Sequence, residues 1–314
     1  MSINENNNSF TVNPSLKIDH VHLRVSDLEE SVNFYQSILG FKILKDKSFA
    51  NTVTISENKE KISPLLVLTQ IDDDDAILKH KSKRKESGLY HFAILLSERK
   101  FLASFLRHVQ KNLDPQFYEG MADHAVSESI YVHDPDYNGI EIYRDRLPSQ
   151  WKWNGNKVFM VTDPLNVKDL LIQNPDEKWT ELPPNTTIGH VHLHVSNLNR
   201  SKQFYQNILG LNHTASYPGA LFFAADHYHH HIATNIWMGT NILPASNSNN
   251  IPGLDHYAVR LSYFKEQEIR EFKNRLKNMG VYIDETINNE SDMQHTSSFY
   301  VYDPDRIKIQ FLFN

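Results

Sequence analysis

The sequence predicts an α+β fold built from four related modules, each running strand, helix and then several strands. The first observation is a long internal repeat, because residues 18–41 and residues 188–211 are identical at 15 of 24 positions without a gap. A second, weaker repeat relates residues 89–97 to residues 254–262. Self-similarity at a fixed spacing is the signature of a duplicated architecture. Modules of roughly 60 residues are small for an independent core, so we expect them to pair.

Composition indicates a globular protein without disulfides. The chain has 314 residues, a net charge of −6 and no cysteine, which excludes disulfides and thiolate metal sites. It has no apolar run of about 18 residues and its first ten residues are polar, so we expect a cytoplasmic protein without a membrane partner. Residues 71–88 set an acidic run beside a basic run, which is typical of a solvated linker, so no nucleic-acid partner is expected.

The first module shows how each element is predicted. Residues 20–25 alternate polar and apolar side chains, which is the pattern of a half-buried strand. Asp27 stands where a helix N-cap is expected, residues 28–39 are amphipathic, and Gly40 stands just past the end of the helix. Short apolar runs such as TVTIS and PLLVLTQ follow and predict further strands.

Histidine recurs at the same place in each first strand, at His20, His91, His190 and His256. In module 3, His190, His192 and His194 share one strand face, opposite the apolar face that the helix should cover. A single histidine on a sheet is more often a hydrogen-bonded filler than a ligand. Three in register, with a similar pair in module 1, favour a polar cavity that binds a ligand, although the spacing alone does not choose a metal.

Residues 146–186 have no counterpart in the repeats and separate the two halves of the chain. We therefore predict a connecting insertion there, between residues 16–145 (modules 1 and 2) and residues 187–314 (modules 3 and 4). Within the insertion, the segment PLNVKDLLIQ predicts a short helix.

The repeated motif DHVHLRVSDLEESVNFYQSILGF, its copy from residue 188, and YVHDPDYNGIEIY resemble the vicinal oxygen chelate superfamily. This superfamily includes glyoxalases, fosfomycin-resistance proteins and extradiol ring-cleaving dioxygenases. The resemblance implies βαβββ modules that pair into two cup-shaped half-barrels, one of which holds a divalent metal. Four modules in one chain resemble extradiol enzymes of the catechol 2,3-dioxygenase type. The implied substrates are a catechol-type aromatic and O2, the implied cofactor is Fe(II) with Mn(II) as second candidate, and a homo-oligomer stays open.

In that family the metal ligands are a first-strand histidine from each of two paired modules and a glutamate from a last strand. The resemblance therefore implies His91 and Glu141 from module 2, because the DPDxNGIE pattern places Glu141 at the carboxylate position. Module 4 carries the neutral Gln310 at that position. The third ligand is His190 if module 2 pairs with module 3, or His20 if it pairs with module 1.

The segment HHHIA favours the pairing with module 3. His230 in this segment resembles a non-ligand histidine that extradiol enzymes carry in the module without the carboxylate, so His190 is the preferred third ligand. Modules 1 and 4 would then form a second, structural cup. The resemblance also implies that His230 transfers a proton, while His124 and Tyr131 stabilise a developing oxyanion. We expect the segment AADHYHHHIATNIW to be a strand, on which alternation would turn His230 away from both of its histidine neighbours.

Two other functions stay open at this point. One is a glyoxalase-like metal isomerase or transferase on the same scaffold, and a single matched carboxylate counts mildly against it. The other is a non-catalytic protein that binds a small molecule. A flat aromatic substrate would suit the aromatic residues expected around the site, which are Tyr217, Phe222, Phe223, Tyr228 and Trp237.

Overall fold

The structure is a computed structural model. It describes residues 10–44, 51–58, 64–72, 86–173, 178–240, 242–246, 250–262, 265–285 and 297–313. Most of the predicted charged linker, at residues 73–85, and most of the polar N-terminal stretch, at residues 1–9, lie outside the described residues. None of the helices in the described ranges has the length and apolar character needed to cross a bilayer.

Modules 1 and 2 follow the predicted order of strand, helix and further strands. Their elements are β1 (Lys17–Val25), α1 (Leu28–Ser37), β2 (Lys42–Ile43), β3 (Thr52–Ser56) and β4 (Leu66–Gln70), then β5 (Gly88–Leu95), α2 (Arg99–Asn112), β6 (Tyr118–Asp123), β7 (Ser127–His133) and β8 (Gly139–Asp145).

The insertion and modules 3 and 4 continue the chain. The insertion contains β9 (Trp153–Asn154), β10 (Lys157–Val158) and the predicted short helix, α3 (Val167–Ile172). The elements of modules 3 and 4 are β11 (Thr187–His194), α4 (Leu198–Lys202) with a π-helical turn (Gln203–Ile208), β12 (Asn212–Tyr217), β13 (Ala220–Ala224) and β14 (Ile232–Asn235), then β15 (Gly253–Leu261), α5 (Glu266–Asn278), β16 (Ile283–Asp284), β17 (Ser297–Tyr302) and β18 (Lys308–Phe313).

The first helix begins and ends where its sequence signals predict. The Asp27 side chain accepts a hydrogen bond from the backbone N–H of Glu30 at 2.8 Å, which satisfies one of the free donors of the first turn. Gly40 ends the helix with a φ of +83°, a conformation that other residues adopt at a cost. A Cβ at Gly40 would also lie 2.7 Å from the backbone of Glu181, so the insertion packs directly against this turn.

The strands form two eight-stranded sheets, each curled into a half-barrel. One has the order β16-β17-β18-β15-β1-β4-β3-β2 and joins modules 4 and 1; we call it half-barrel 1/4. The other has the order β12-β13-β14-β11-β5-β8-β7-β6 and joins modules 3 and 2; we call it half-barrel 2/3. This is the module pairing that the sequence favoured. Each half of the chain contributes strands to both sheets, and the proposed division at residues 146–186 stays a prediction about folding units.

The two half-barrels are tied together through the Asp-Pro-Asp turns of modules 2 and 4. The hydroxyl of Tyr35 donates to Asp134 at 2.9 Å, and the hydroxyl of Tyr205 donates to Asp303 at 3.0 Å. All four side chains are buried, and burial raises the pKa of Asp134 to about 6. The repeat therefore preserves a buried polar contact between neighbouring modules as well as their strands and helices.

We expect Tyr35→Phe to lower the free energy of unfolding by about 1–3 kcal/mol, because it removes a hydroxyl donor from a buried carboxyl group. Urea denaturation followed by circular dichroism measures the change. Tyr282→Phe is the matched control, since Tyr282 is 70% exposed and should leave stability unchanged. Equal stabilities for the two variants would contradict this role for the Tyr35–Asp134 contact.

Candidate metal centre

Three neighbouring strands bring His91, His190 and Glu141 together. Strands β11 and β5 pair antiparallel with His192 opposite His91 and His190 opposite Ala93. Strand β8 lies parallel to β5 on its other side, with Glu141 opposite Ala93. Because alternate residues of a strand face the same side, all three side chains point to the concave face of half-barrel 2/3.

The three side chains converge on one point. The Nε2 atoms of His91 and His190 each lie 3.0 Å from Oε2 of Glu141. The other oxygen, Oε1, accepts a hydrogen bond from the hydroxyl of Ser129 at 2.5 Å, which orients the carboxylate. All three are buried, at 7%, 1% and 3% exposure for His91, His190 and Glu141, and their ligand atoms lie within 4.8 Å of one another. Two imidazoles and a carboxylate so arranged could hold a divalent metal ion.

The electrostatics favour the protonation states that metal binding needs. Burial alone would raise the pKa of Glu141, but His190 and His91 outweigh burial and hold the pKa of this carboxyl well below its usual range. Burial lowers the pKa of His190 to about 4, against the opposing effect of Glu141. At neutral pH the group therefore contains an ionised carboxylate and a neutral His190, and divalent metals bind those forms.

The other half-barrel has the same frame but a different charge pattern. His22 lies opposite His256, and Gln310 lies opposite Ala258, at the place that Glu141 takes in half-barrel 2/3. His20, the alternative third ligand, lies on β1 of this second sheet, and its Nδ1 is 2.8 Å from Asp19. The structure therefore brings His190, and not His20, to Glu141 and His91.

Half-barrel 1/4 contains a second histidine–carboxylate group, formed by His22, Asp255 and His256. Its carboxylate already has cationic partners, because Arg24 Nη1 lies 2.9 Å from Oδ2 of Asp255 and Lys308 Nζ lies 3.6 Å from Oδ1. Two positive side chains on the one carboxylate oppose a divalent cation there. The group at Asp255 therefore differs from the group at Glu141 in having cationic side chains next to its carboxylate.

The segment that carries His230 is not a strand, so that prediction is wrong. Strand β14 begins at Ile232, and a turn with Asp226 at a φ of +55° precedes it. Because the backbone is irregular here, side chains do not alternate: Nδ1 of His229 lies 2.7 Å from Nδ1 of His230. His230 still reaches the site, with its ring centroid 4.1 Å from that of His190.

His124 and Tyr131 lie beside the cluster and contact each other. Tyr131 is opposite Glu141 across β7 and β8. A backbone carbonyl can only accept, so Nδ1–H of His124 donates to Val161 O at 2.7 Å. In neutral His124 the Nε2 atom then accepts from the hydroxyl of Tyr131, at 2.7 Å. Burial, followed by the charge of Glu141, raises the pKa of Tyr131 well above its usual value, so its hydroxyl keeps its proton.

A cavity of about 230 Å³ opens beside these residues, and the insertion forms one of its walls. Residues 158–162 line it together with His124, Phe222 and Trp237. Phe222 contacts the ring of His230, and Trp237 contacts the ring of His192, which joins the cavity to the histidine cluster. Four of the five expected aromatic residues lie around the site; Phe223 instead faces the core and packs on Tyr205.

Sequence reasoning missed a second layer of residues next to His230. Nε2 of His229 lies 2.8 Å from Asp145, which is 84 positions away in the chain, and Tyr228 donates to the same carboxylate. Asp145 follows Glu141 by four positions, but no motif marks it. A contact between a strand end and an irregular loop has no periodic signal in the sequence.

The comparisons with known proteins agree with this architecture. A family model described as the Glyoxalase/Bleomycin resistance protein/Dioxygenase superfamily matches residues 17–142 and 187–311. The chain belongs to this superfamily. The chain is also similar to Catechol-2,3-dioxygenase of Bacillus subtilis (strain 168), with 38% identity over 298 residues that cover 94% of this chain and 96% of that protein.

Two solved structures share the fold. Glyoxalase I from Zea mays superposes with a TM-score of 0.55 and 15% identity, covering 95% of this chain and 92% of that chain. The cppA protein from Streptococcus pneumoniae TIGR4 superposes with a TM-score of 0.51 and 10% identity, covering 95% and 99%. Identities this low bear on the fold alone.

We expect Glu141→Ala to abolish stoichiometric metal binding, because it removes the only carboxylate from the cluster of His91 and His190. Metal content after reconstitution is measured by mass spectrometry. His20→Ala is the matched control, since His20 stands at the position equivalent to His190 in half-barrel 1/4 and should leave the content unchanged. Stoichiometric metal in Glu141→Ala, or its loss in His20→Ala with retention in His190→Ala, would overturn the assignment.

Proposed function

We propose that this superfamily member is an extradiol ring-cleaving dioxygenase, which opens catechol or a substituted catechol with O2. The observation that carries the proposal is a buried cluster of two histidines and one glutamate. It occurs in a chain that is 38% identical to a catechol-2,3-dioxygenase over 94% of its length. His91, His190 and Glu141 would hold Fe(II), and Mn(II) is the second candidate because the same ligands suit it. When bound, the metal would supply chelation of both catechol oxygens and activation of O2.

His230 is the proposed proton acceptor for the catechol. Its ring lies 4.1 Å from the ring of His190, so a molecule held at the cluster would be within its reach. Burial, followed by the neighbouring histidines 190 and 229, lowers the pKa of His230 well below its usual value. The imidazole is therefore neutral before the reaction and able to accept a proton.

Tyr131 is proposed to stabilise negative charge on the substrate by donating its hydroxyl hydrogen, and His124 is proposed to orient that hydroxyl. Tyr131 keeps its hydroxyl proton at neutral pH and lies opposite Glu141 on the neighbouring strand. Val161 fixes the His124 tautomer, so the hydroxyl hydrogen of Tyr131 can be directed either to His124 or to an oxyanion held at the cluster. Hydrogen-bond donors placed in advance at developing charge lower the barrier of such steps.

The cavity suits a small aromatic molecule. Its volume of about 230 Å³ is below the roughly 300–1,000 Å³ of pockets that hold drug-sized ligands. Phe222 and Trp237 offer aromatic surface next to the histidines, and Val158 and Met160 offer apolar surface on the side of the insertion. A single ring with a small apolar substituent fits this lining better than a charged substrate.

We expect protein reconstituted anaerobically with Fe(II) to consume O2 and catechol in equal amounts and to form a yellow ring-opened product. An oxygen electrode and absorbance spectroscopy measure the two quantities. Glu141→Ala, treated in the same way, should show neither. Metal-loaded protein that takes up no O2 with any catechol would refute the dioxygenase and favour a metal isomerase or a binding protein on this scaffold.

We expect His230→Ala to lower kcat by roughly 10²–10⁴-fold, the usual effect of removing an acid–base group. Metal content and the dissociation constant for catechol should stay close to the parent values, because His230 is not one of the three ligands. His227→Ala is the matched control, since His227 lies on the same loop and is exposed. Turnover of His230→Ala at the parent rate would show that His230 has no such role.

A further inference from the structure

A continuous series of hydrogen bonds leads from His230 through His229, Asp145 and Tyr228 to the buried Tyr143. Nδ1 of His230 lies 2.7 Å from Nδ1 of His229, and Nε2 of His229 lies 2.8 Å from Oδ1 of Asp145. The hydroxyl of Tyr228 donates to Oδ2 of Asp145 at 2.8 Å. Tyr143 donates in turn to Tyr228, and their oxygens are 2.9 Å apart. Both ends of this series lie beside His190, because the rings of His230 and Tyr143 are 4.1 Å and 4.9 Å from the ring of His190.

The direction of each hydrogen bond follows from its acceptors. The carboxylate of Asp145 has no hydrogen to give, so Nε2 of His229 must be the donor. With His229 neutral, its Nε2–H leaves a lone pair on Nδ1, and that atom accepts from Nδ1–H of His230. Neutral His230 then carries its hydrogen on Nδ1 and a free lone pair on Nε2. The hydrogen bonds thus select one of its two tautomers.

The surroundings of His229 hold this arrangement in place. Its side chain is fully buried, and its ring packs against those of Tyr228, at 4.2 Å, and Trp151, at 5.3 Å. Trp151 is anchored because its indole N–H donates to Val126 O at 3.1 Å. Close packing leaves His229 little freedom to turn and exchange its two nitrogens.

At the Tyr143 end of the hydrogen-bond series, a side chain closely approaches the backbone. The hydroxyl of Tyr143 lies against Gly189, the residue before His190, where a Cβ would be 1.8 Å from the oxygen. Only glycine leaves room for this hydroxyl. Both oxygens of Asp145 therefore have fixed partners, His229 on one and Tyr228 on the other.

We propose that Asp145 and His229 are positioning residues that hold His230 as the Nδ1–H tautomer, with Nε2 free to accept the proton of the substrate. The tautomer follows from these hydrogen bonds with His229 neutral, whereas its use in catalysis rests on the proposed dioxygenase function. An aspartate that sets the tautomer of a catalytic histidine is known from serine proteases, where its replacement by asparagine lowers kcat by about 10⁴-fold. Here a second imidazole stands between the carboxylate and the reacting histidine.

Asp145→Asn tests the proposal, because the amide that it introduces can donate to Nε2 of His229 and reverse both hydrogen bonds. Histidine side-chain ¹H–¹⁵N correlation spectra of full-length protein, metal-free and loaded with zinc, report the tautomer; His230→Gln identifies the signal of His230. We expect Nδ1–H on His230 in the parent protein and Nε2–H in Asp145→Asn. In iron-loaded protein, kcat should fall at least about tenfold, with metal content and the catechol dissociation constant unchanged.

Two variants provide controls. Asp226→Asn makes the same change on an exposed residue of the neighbouring loop and should keep the parent tautomer and kcat. His229→Phe keeps an aromatic ring against Tyr228 and Trp151 but removes the acceptor, so His230 should lose its preference for Nδ1–H. This variant also decides the question if Asp145→Asn does not fold.

Nε2–H on His230 in the parent protein would overturn the proposal at once. So would an unchanged tautomer in Asp145→Asn, or a reversed tautomer with the parent kcat. A parent protein without oxygen uptake would instead refute the proposed function, and the spectra would still decide whether Asp145 and His229 set the tautomer.

Discussion

The antiparallel pairing of β5 with β11 is the interaction on which the rest of the site depends. Its register sets His91 opposite His192 and brings His190 beside Ala93, one strand away from Glu141. A slip of one residue would turn every histidine of β11 toward the helices and every apolar residue toward the cavity. The buried apolar face of β11, with Val191 and Leu193 fully buried, opposes such a slip. Ordinary hydrophobic packing thus fixes the positions of the proposed metal ligands.

The duplicated sequence forms two half-barrels with the same strand pairing, and a few side chains on their concave faces make them different. Strands β1 and β15 repeat the register of β11 and β5, with His22 opposite His256. In half-barrel 1/4, however, a neutral amide at Gln310 takes the place of Glu141, and Arg24 forms an ion pair with Asp255. A neutral amide in place of the carboxylate and an added cation leave the fold intact, because both side chains lie on the concave face and not in the core.

The parts that the repeat does not contain complete the site. The insertion supplies one wall of the cavity, and Val161 fixes the tautomer of His124. Trp151 packs on His229, which lies in an irregular loop of module 3. Regular strands therefore hold the proposed ligands rigidly, while irregular segments shape the cavity and orient the groups that would exchange protons. This division is common in enzymes, because loops vary in sequence more freely than the strands that support them.

The sequence by itself determined the modules and the first-strand histidines, because strand and helix periodicity and a long repeat leave direct patterns in the chain. The glutamate at position 141 was implied by the resemblance to the superfamily. The pairing of modules 2 and 3 was favoured from the residues around His230, but only the sheet order decided it, since strand partners are chosen by contacts far apart in sequence. The strand expected at His230 was wrong for the same reason: a turn at Asp226 and packing against Trp151 override the local pattern. The contact of His229 with Asp145 exists only in the tertiary structure, where a loop and a strand end meet across 84 residues of chain.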